Sequence, residues 1–92
     1  METDWKNELA QLITFADTRN KADQLLVALL TPAEHEELAK RWQIVKQLIE
    51  EVTQREIKDN LGASIATVTR GSRELHYGNG AFQKFYQYFQ TK

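Results

Sequence analysis

Apolar residues recur at helical spacing along the whole chain. Near the start, Trp5, Leu9 and Leu12 are spaced i, i+4 and i+7, which is typical of an amphipathic helix. We expect Trp5 and the later Trp42 to belong to the core. The pattern predicts an all-α protein of five to six helices, with residues 1–92 forming a single helical domain.

A second helix is predicted to begin at Asn20, as its cap, and to end near Leu30. The stretch Leu25–Leu30 is apolar on all sides, so it must be buried on several sides. In a chain of 92 residues, which is marginally stable alone, this favours burial against a partner subunit.

The same stretch bears on localisation. Leu25–Leu30 is the longest apolar run and is far shorter than the ~18 residues of a membrane span. No signal peptide is evident, and the chain has no cysteine, which fits a reducing compartment. We expect a cytoplasmic protein without a membrane partner.

Two further helix starts carry capping-box signatures. Thr31-Pro32-Ala33-Glu34 combines a capping threonine, a proline in the first turn and a glutamate at the third position. Thr53-Gln54-Arg55-Glu56 has the same form. These boxes predict a long third helix and a short fourth one.

A helix-turn-helix pattern occupies about residues 54–75. Gly62 allows a tight turn after the short helix, and Ser64 can cap the helix that follows. The side chains expected to hold the two helices crossed are Ile57, Leu61, Ala63, Ile65 and Val68. In such motifs the amino end of the second helix enters the DNA major groove. The segment predicts DNA binding, with a plain helical hairpin as the alternative.

The polar residues of this segment suit contact with DNA. Small hydroxyl residues and a threonine methyl fit direct or water-mediated contact with base edges, and Arg55 and Lys58 can hold phosphates. The predicted DNA-contacting residues are Gln54, Arg55, Lys58, Ala63, Ser64, Ile65, Ala66, Thr67, Thr69, Arg70 and Arg73. Residues 1–52 carry a net charge of −4 and residues 53–92 a net charge of +3. This bias favours a polyanionic partner for the second half.

These residues resemble the bacterial tryptophan repressor family. The resemblance covers about residues 24–75 and is most specific in Ile65-Ala66-Thr67-Val68-Thr69-Arg70-Gly71-Ser72. It implies a Trp-repressor-like domain that forms an intertwined homodimer. It also implies a sequence-specific transcriptional repressor that binds a palindromic operator and is activated by L-tryptophan as corepressor. Because that family is a standard example of helix-turn-helix docking, the resemblance also implies how the motif binds DNA.

The resemblance also implies a tryptophan site. Arg70 and the Thr31 hydroxyl would hold the ligand carboxylate, and Arg41 would stack on the indole. The backbone carbonyls near Ala28 and Leu30 would accept the ammonium. The implied residues are Ala28, Leu30, Thr31, Arg41, Arg70, Gly71 and Glu74, with Gly71 leaving room for the ring.

From the residues alone, simpler roles stay open for three of them. Thr31 is a helix cap in any case, Arg41 can pair with Glu37, and Arg70 can contact a phosphate. For each of these side chains, the sequence is therefore compatible with a role in ligand binding and with the simpler role.

The chain departs from the family pattern at three places. Glu74 stands where the family has a serine, near the ligand's ammonium. One residue is missing near Glu51-Val52, before the helix-turn-helix. The ending Tyr77-Gly78-Asn79-Gly80 is more similar to a sister group of repressor-like regulators. An alternative is therefore a related regulator with a different small-molecule effector or none.

Other classes of function find less support. His35 lies in His-Glu-Glu-Leu-Ala and His76 stands alone, so neither has a second ligand at metal spacing and no metal is expected. No phosphate loop or catalytic Ser/His/Asp set is visible, so no enzyme is expected. The alternative of another class is a helical protein–protein interaction module that uses the apolar stretches Leu25–Leu30 and Phe82–Phe89.

Overall fold

The computed structural model describes residues 2–90, and the side chains of residues 4–90. This part contains only helices, which confirms the all-α prediction. They are α1 (Glu2–Thr14), α2 (Arg19–Leu29), α3 (Pro32–Ile49), α4 (Gln54–Leu61), α5 (Ile65–Tyr77) and α6 (Ala81–Gln90). None of these helices is long and apolar enough to cross a membrane.

The described chain divides into two compact units, with the boundary between Glu36 and Glu37 inside α3. The assignment of residues 1–92 to a single domain stays a prediction.

The capping box at the start of α3 forms as predicted. The Glu34 backbone N–H donates to Thr31 Oγ1 at 3.2 Å, and the Thr31 N–H donates to Glu34 Oε1 at 2.9 Å. The bond from the Thr31 N–H to the carboxylate is the largest cause that holds the pKa of Glu34 below its usual value, and the Thr31 side chain lowers it further. Two donors that the helix itself leaves unpaired are thus satisfied at this end.

The start of α2 differs from the prediction. Thr18 is its N-cap, and its side chain accepts a hydrogen bond from the Lys21 N–H at 3.1 Å. The assignment of the cap to Asn20 is wrong, because Asn20 already lies inside the first turn. Both residue types are good caps, so composition alone does not separate them.

The connection between α3 and α4 is built around Glu51. This residue has φ 65°, in the left-handed region. The Val52 N–H donates to the Gln47 carbonyl and the Glu51 N–H to the Leu48 carbonyl, both at 3.0 Å. This bonding is a Schellman termination, in which glycine usually takes the left-handed position. The position near Glu51 where this chain has one residue fewer than the family therefore lies at the carboxyl end of α3, in a strained backbone conformation.

A small apolar core lies in the second unit. Ile44 of α3, Ile57 of α4 and Val68 of α5 are at most 1% exposed and form one cluster with the nearly buried Ala63. The cluster joins the third helix to the predicted helix-turn-helix. Ile65, by contrast, is 51% exposed, so the prediction that it points inward is wrong.

Trp42 is half-buried rather than part of this cluster. Its ring packs against two aromatic rings of α6, with centroids 6.4 Å from Phe82 and 5.4 Å from Phe89. The expectation that Trp42 belongs to the core thus holds only in part, because its aromatic layer lies between α3 and α6.

The first unit has no buried side chain among residues 4–36. Trp5 is 68% exposed, so within the chain the prediction that it belongs to the core is wrong. Leu26, Val27 and Leu29 of the apolar stretch are also exposed. Within residues 4–90, the burial that the sequence predicts for them is therefore not found.

Candidate nucleic-acid interface

Two helices joined by a three-residue turn form the candidate interface. Gly62 ends α4 with φ 63° and ψ 24°, and Ser64 is the N-cap of α5. A Cβ added at Gly62 would meet nothing within 4 Å. The backbone angle therefore favours glycine here, and crowding does not. The predicted helix-turn-helix geometry is present.

The position of α4 is fixed by apolar contact and by side-chain hydrogen bonds. Ile57 and Val68 carry the packing between α4 and α5. The Thr69 hydroxyl donates to Gln54 Oε1 at 3.2 Å and links the start of α4 to α5. At the other end, Asn60 Nδ2 donates to Gln47 Oε1 of α3 at 3.3 Å. Both ends of the short helix are thus tied to neighbours.

The predicted DNA-contacting residues are exposed, with one exception. Ala63 is 7% exposed and belongs to the core, so its side chain is buried beneath the turn. Exposed in this structure are Gln54, Arg55, Lys58, Ser64, Ile65, Ala66, Thr67, Thr69, Arg70 and Arg73. The amino half of α5 therefore presents hydroxyl and small apolar groups, with Arg70 and Arg73 beyond them.

A pair of hydroxyls lies at the amino end of α5. Ser64 Oγ accepts a hydrogen bond from the Thr67 N–H at 3.2 Å and lies 2.8 Å from Thr67 Oγ1. Both residues are exposed. The cap of the helix and one of its outward side chains are therefore hydrogen-bonded to each other.

The predicted tryptophan-site residues are divided between the two units. In the first unit, Ala28 and Thr31 are exposed and Leu30 is half-buried. In the second unit, Arg41 and Arg70 are exposed. Among the described side chains, the one salt bridge joins Lys21 to Asp17, so the alternative pair of Arg41 with Glu37 does not form.

Gly71 has a packing role in this structure. It is buried, and a Cβ added there would lie 3.0 Å from Ile44 Cγ2 and 3.8 Å from Leu48 Cδ1. The missing side chain lets α5 approach α3 closely. The implied role of Gly71 in leaving room for an indole ring stays a prediction.

Glu74 is exposed and belongs to the last turn of α5. A Cβ added at Gly78 would lie 2.4 Å from the Glu74 carbonyl oxygen and 2.9 Å from its Oε1. The Gly78 N–H donates to the same carbonyl at 2.9 Å. The absence of a side chain at Gly78 therefore makes space for the Glu74 carboxylate at this helix end.

Comparison with known proteins identifies the family. The sequence model described as Trp repressor protein matches residues 4–89. A Trp operon repressor homolog of Vibrio vulnificus is 43% identical over 74 residues, covering 79% of this chain and 72% of the relative. One of Haemophilus influenzae is 46% identical over 70 residues, covering 75% and 69%. One of Aliivibrio salmonicida is 43% identical over 74 residues, covering 79% and 68%.

The chain belongs to the Trp repressor family. The resemblance read from the helix-turn-helix residues is thereby confirmed, and it extends beyond residues 24–75 to nearly all of the chain. Trp repressors are DNA-binding transcriptional regulators, so the chain is a repressor rather than an enzyme. The same membership decides against a plain interaction module.

Sequence reasoning missed two contacts that position α6. The Tyr86 hydroxyl of α6 donates to Glu50 Oε2 at 2.9 Å, which raises the pKa of Tyr86. Gln83 Nε2 donates to the Leu75 carbonyl at 2.8 Å. Such partners are distant in sequence and leave no local pattern. Within the described residues, no group of His, Cys, Asp and Glu is placed to hold a metal ion.

Proposed function

We propose that this protein binds a palindromic operator as a homodimer and that L-tryptophan activates it as corepressor. The observation that carries the proposal is the α4–α5 pair, which is fixed by a buried core. It exposes hydroxyl groups at the amino end of α5 and the cations Arg55 and Lys58 on α4. Membership of the Trp repressor family supports the tryptophan dependence.

The homodimer is supported by apolar surface that the chain leaves uncovered. Trp5, Phe15, Leu26 and Val27 of the first unit are between 39% and 68% exposed. Monomeric proteins rarely leave large apolar patches open. A second copy of the chain is the partner that the family implies. Two recognition helices about 34 Å apart would then reach successive major grooves.

The effector chemistry follows from the arginines. A zwitterionic amino acid needs a cation for its carboxylate and a flat surface for its ring. Arg70 would supply the first, with help from Thr31, and Arg41 would supply the second through cation–π contact. Both arginines are exposed, and neither takes part in a salt bridge with another described residue.

Glu74 supports a second candidate effector. Its carboxylate replaces a neutral hydroxyl of the family near the expected ammonium, and it is exposed at the end of α5. A carboxylate there would strengthen the binding of an ammonium group or select a ligand with a second cation. The alternative is therefore a regulator of this family with a different effector.

The proposed switch is a shift between two arrangements of α4 and α5. Tryptophan would favour the arrangement in which both recognition helices fit DNA. A ligand shifts such an equilibrium only by its difference in affinity for the two states. DNA should therefore tighten tryptophan binding by the same factor by which tryptophan tightens DNA binding.

A direct test measures DNA affinity against salt, with and without L-tryptophan. The probe is the duplex that the protein selects most strongly from a pool of randomised palindromes. With Arg70 occupied by the ligand carboxylate, Arg55, Lys58 and Arg73 of each chain would give a log–log salt slope of about −5 for a dimer. Lys58→Ala should make the salt slope of the DNA affinity less negative by about 2, since one phosphate contact is lost in each subunit.

Two variants separate the effector candidates. Arg41→Ala and Thr31→Ala should abolish the dependence on tryptophan while DNA affinity without ligand is kept. Arg19→Ala, an exposed arginine at the start of α2, is the matched control and should behave as the wild type. Salt-dependent DNA binding without any response to tryptophan would favour another effector, and Glu74→Ser would then be expected to restore the response.

A further inference from the structure

A side chain of α6 holds the carboxyl end of α5. Leu75 is 8% exposed, and its carbonyl is one of the last four of α5, which have no partner within a helix. Gln83 Nε2 of α6 donates to this carbonyl at 2.8 Å. Because a hydrogen bond is directional, this contact restricts the angle between the two helices as well as their distance.

The helix α6 is itself attached to α3. Phe82 and Phe89 of α6 pack against the Trp42 ring of α3, with centroid distances of 6.4 and 5.4 Å. The Tyr86 hydroxyl donates to Glu50 Oε2 at 2.9 Å, just after the last residue of α3. The three α6 residues are spaced i, i+4 and i+7, so they form one face of the helix. Because this face fixes α6 on α3, α6 can hold the end of α5 in a set position relative to α3.

A second point of α5 is fixed where it packs on α3. Gly71 is buried, and a Cβ added there would lie 3.0 Å from Ile44 Cγ2, so the two helices approach closely at this point. One close contact fixes a distance but lets a helix tilt about it. Leu75 lies four residues after Gly71, about 6 Å further along the helix axis. The hydrogen bond from Gln83 is therefore placed to restrict the tilt of α5 about Gly71.

We propose that Gln83 is a positioning residue that sets the tilt of α5 and thereby the half-site spacing that the dimer accepts on DNA. The inference rests on the proposed function, since it needs two copies of α5 in successive major grooves. In a symmetric dimer, a tilt of α5 changes the distance and the relative rotation of both amino ends, so a fixed tilt matches one spacing. Without the hydrogen bond, α5 would sample a wider range of tilts. The fraction of molecules with the matching tilt would fall, and neighbouring spacings would become accessible.

The test compares the wild type with Gln83→Leu and Gln83→Lys on duplexes of equal length and different half-site spacing. The probes are the palindrome that the wild type selects and versions with one base pair inserted or removed at its centre. Each change moves a half-site by about 3.4 Å and turns it by about 35°. Leucine removes the donor and keeps helix propensity, whereas lysine restores a donor that can bond a carbonyl at a helix end.

Gln87→Leu is the matched control, because it makes the same substitution at another exposed position of α6. Thermal unfolding checks that every variant is folded. The measured quantity is the spacing preference, which is the ratio of the dissociation constants for the altered and the selected spacing at saturating L-tryptophan. Any effect of the added lysine charge cancels in this ratio, because the duplexes carry the same number of phosphates.

Gln83→Leu should lower the spacing preference about fivefold, the size expected for the loss of one neutral hydrogen bond. Gln83→Lys should retain the preference of the wild type, because the carbonyl of Leu75 keeps a donor. Gln87→Leu should match the wild type as well.

The two possible failures are distinguishable. If the wild type selects no palindrome, or binds all three spacings equally, the proposed function and this inference fail together. If the wild type prefers one spacing and Gln83→Leu keeps that preference, only this inference is overturned. An equal loss of affinity on all three duplexes would also overturn it, because Gln83 would then support the fold without controlling the spacing. An equal loss of preference in Gln83→Lys would do the same, because the donor would then not be the cause.

Discussion

The two compact units of the chain bury apolar side chains to different degrees. Residues 4–36 contain no buried side chain, and Trp5 and Phe15 are 68% and 66% exposed. The second unit has a closed cluster in which Ile57 and Val68 are 0% exposed. Both units carry amphipathic helices, so the difference lies in what covers their apolar faces.

This difference separates two sources of stability. The second unit holds the DNA-binding helices through contacts within one chain. The first unit has apolar faces that only a further surface can cover, and we propose that this surface is a second copy. The helix-turn-helix would then be stabilised within one chain, whereas the distance between the two helix-turn-helix motifs of a dimer would depend on the first unit.

The largest effect on dimerisation and stability is expected when a charged residue replaces an apolar one in the first unit. Leu26→Glu should dissociate the dimer and lower the free energy of unfolding by about 3 kcal/mol or more, because an unpaired charge would be buried. Sedimentation and denaturant unfolding at several protein concentrations measure both. Gln24→Glu, an exposed position on the same helix, is the control and should change little. A wild type that is monomeric at all concentrations would contradict the proposed dimer.

A truncation in the core of the second unit should have a comparable effect. Ile57→Ala should lower the free energy of unfolding by about 3 kcal/mol, because it opens a cavity in a fully buried cluster. Ile65→Ala removes the same atoms at a position that is 51% exposed and should change stability by about 0.5 kcal/mol at most. Equal losses for both variants would show that Ile65 is covered as well.

The two left-handed residues that flank α4 should respond in opposite directions. Gly62→Ala should cost about 1 kcal/mol, because alanine is strained at φ 63° although there is space for its side chain. Glu51→Gly should stabilise by about 0.5 kcal/mol, because it removes the strain at φ 65°. Chemical denaturation measures both changes. A loss of stability in Glu51→Gly would show that the glutamate side chain makes a compensating contact.

The smallest effect is expected at the capping box of α3. The hydrogen bonds from Thr31 lower the pKa of Glu34, so folding favours its ionised form. This contribution is present above the unfolded pKa of about 4.3. It is lost as the pH falls through the lower folded pKa. Glu34→Gln should therefore flatten the dependence of stability on pH in acid, whereas Glu36→Gln, outside the box, should not.

Local signals account for most of what the sequence predicts correctly. The Thr31 box and the left-handed Gly62 depend on residues close in the chain, so their patterns are readable. The exposure of Trp5 is not readable in this way, because helical spacing shows which face of a helix is apolar but not whether another part of the chain covers that face. The left-handed Glu51 is also unexpected, since glutamate rarely takes that conformation.

In the candidate site as well, local features are predicted correctly and features that depend on distant residues are not. The exposed face of α4 and α5 follows from helical spacing, but Ile65 was expected inside and lies outside. Gly71 permits close helix packing, and no sequence pattern separates that role from space for a ligand. The Gln54–Thr69 hydrogen bond joins residues 15 positions apart and becomes visible only in three dimensions.

The most direct test of the account is the affinity for L-tryptophan, measured by calorimetry with and without the selected palindromic duplex. We predict that one L-tryptophan molecule binds to each chain. We also predict that DNA tightens tryptophan binding by the same factor by which tryptophan tightens DNA binding. Equal tryptophan affinities in the two conditions, for a protein that does bind the duplex, would contradict the account.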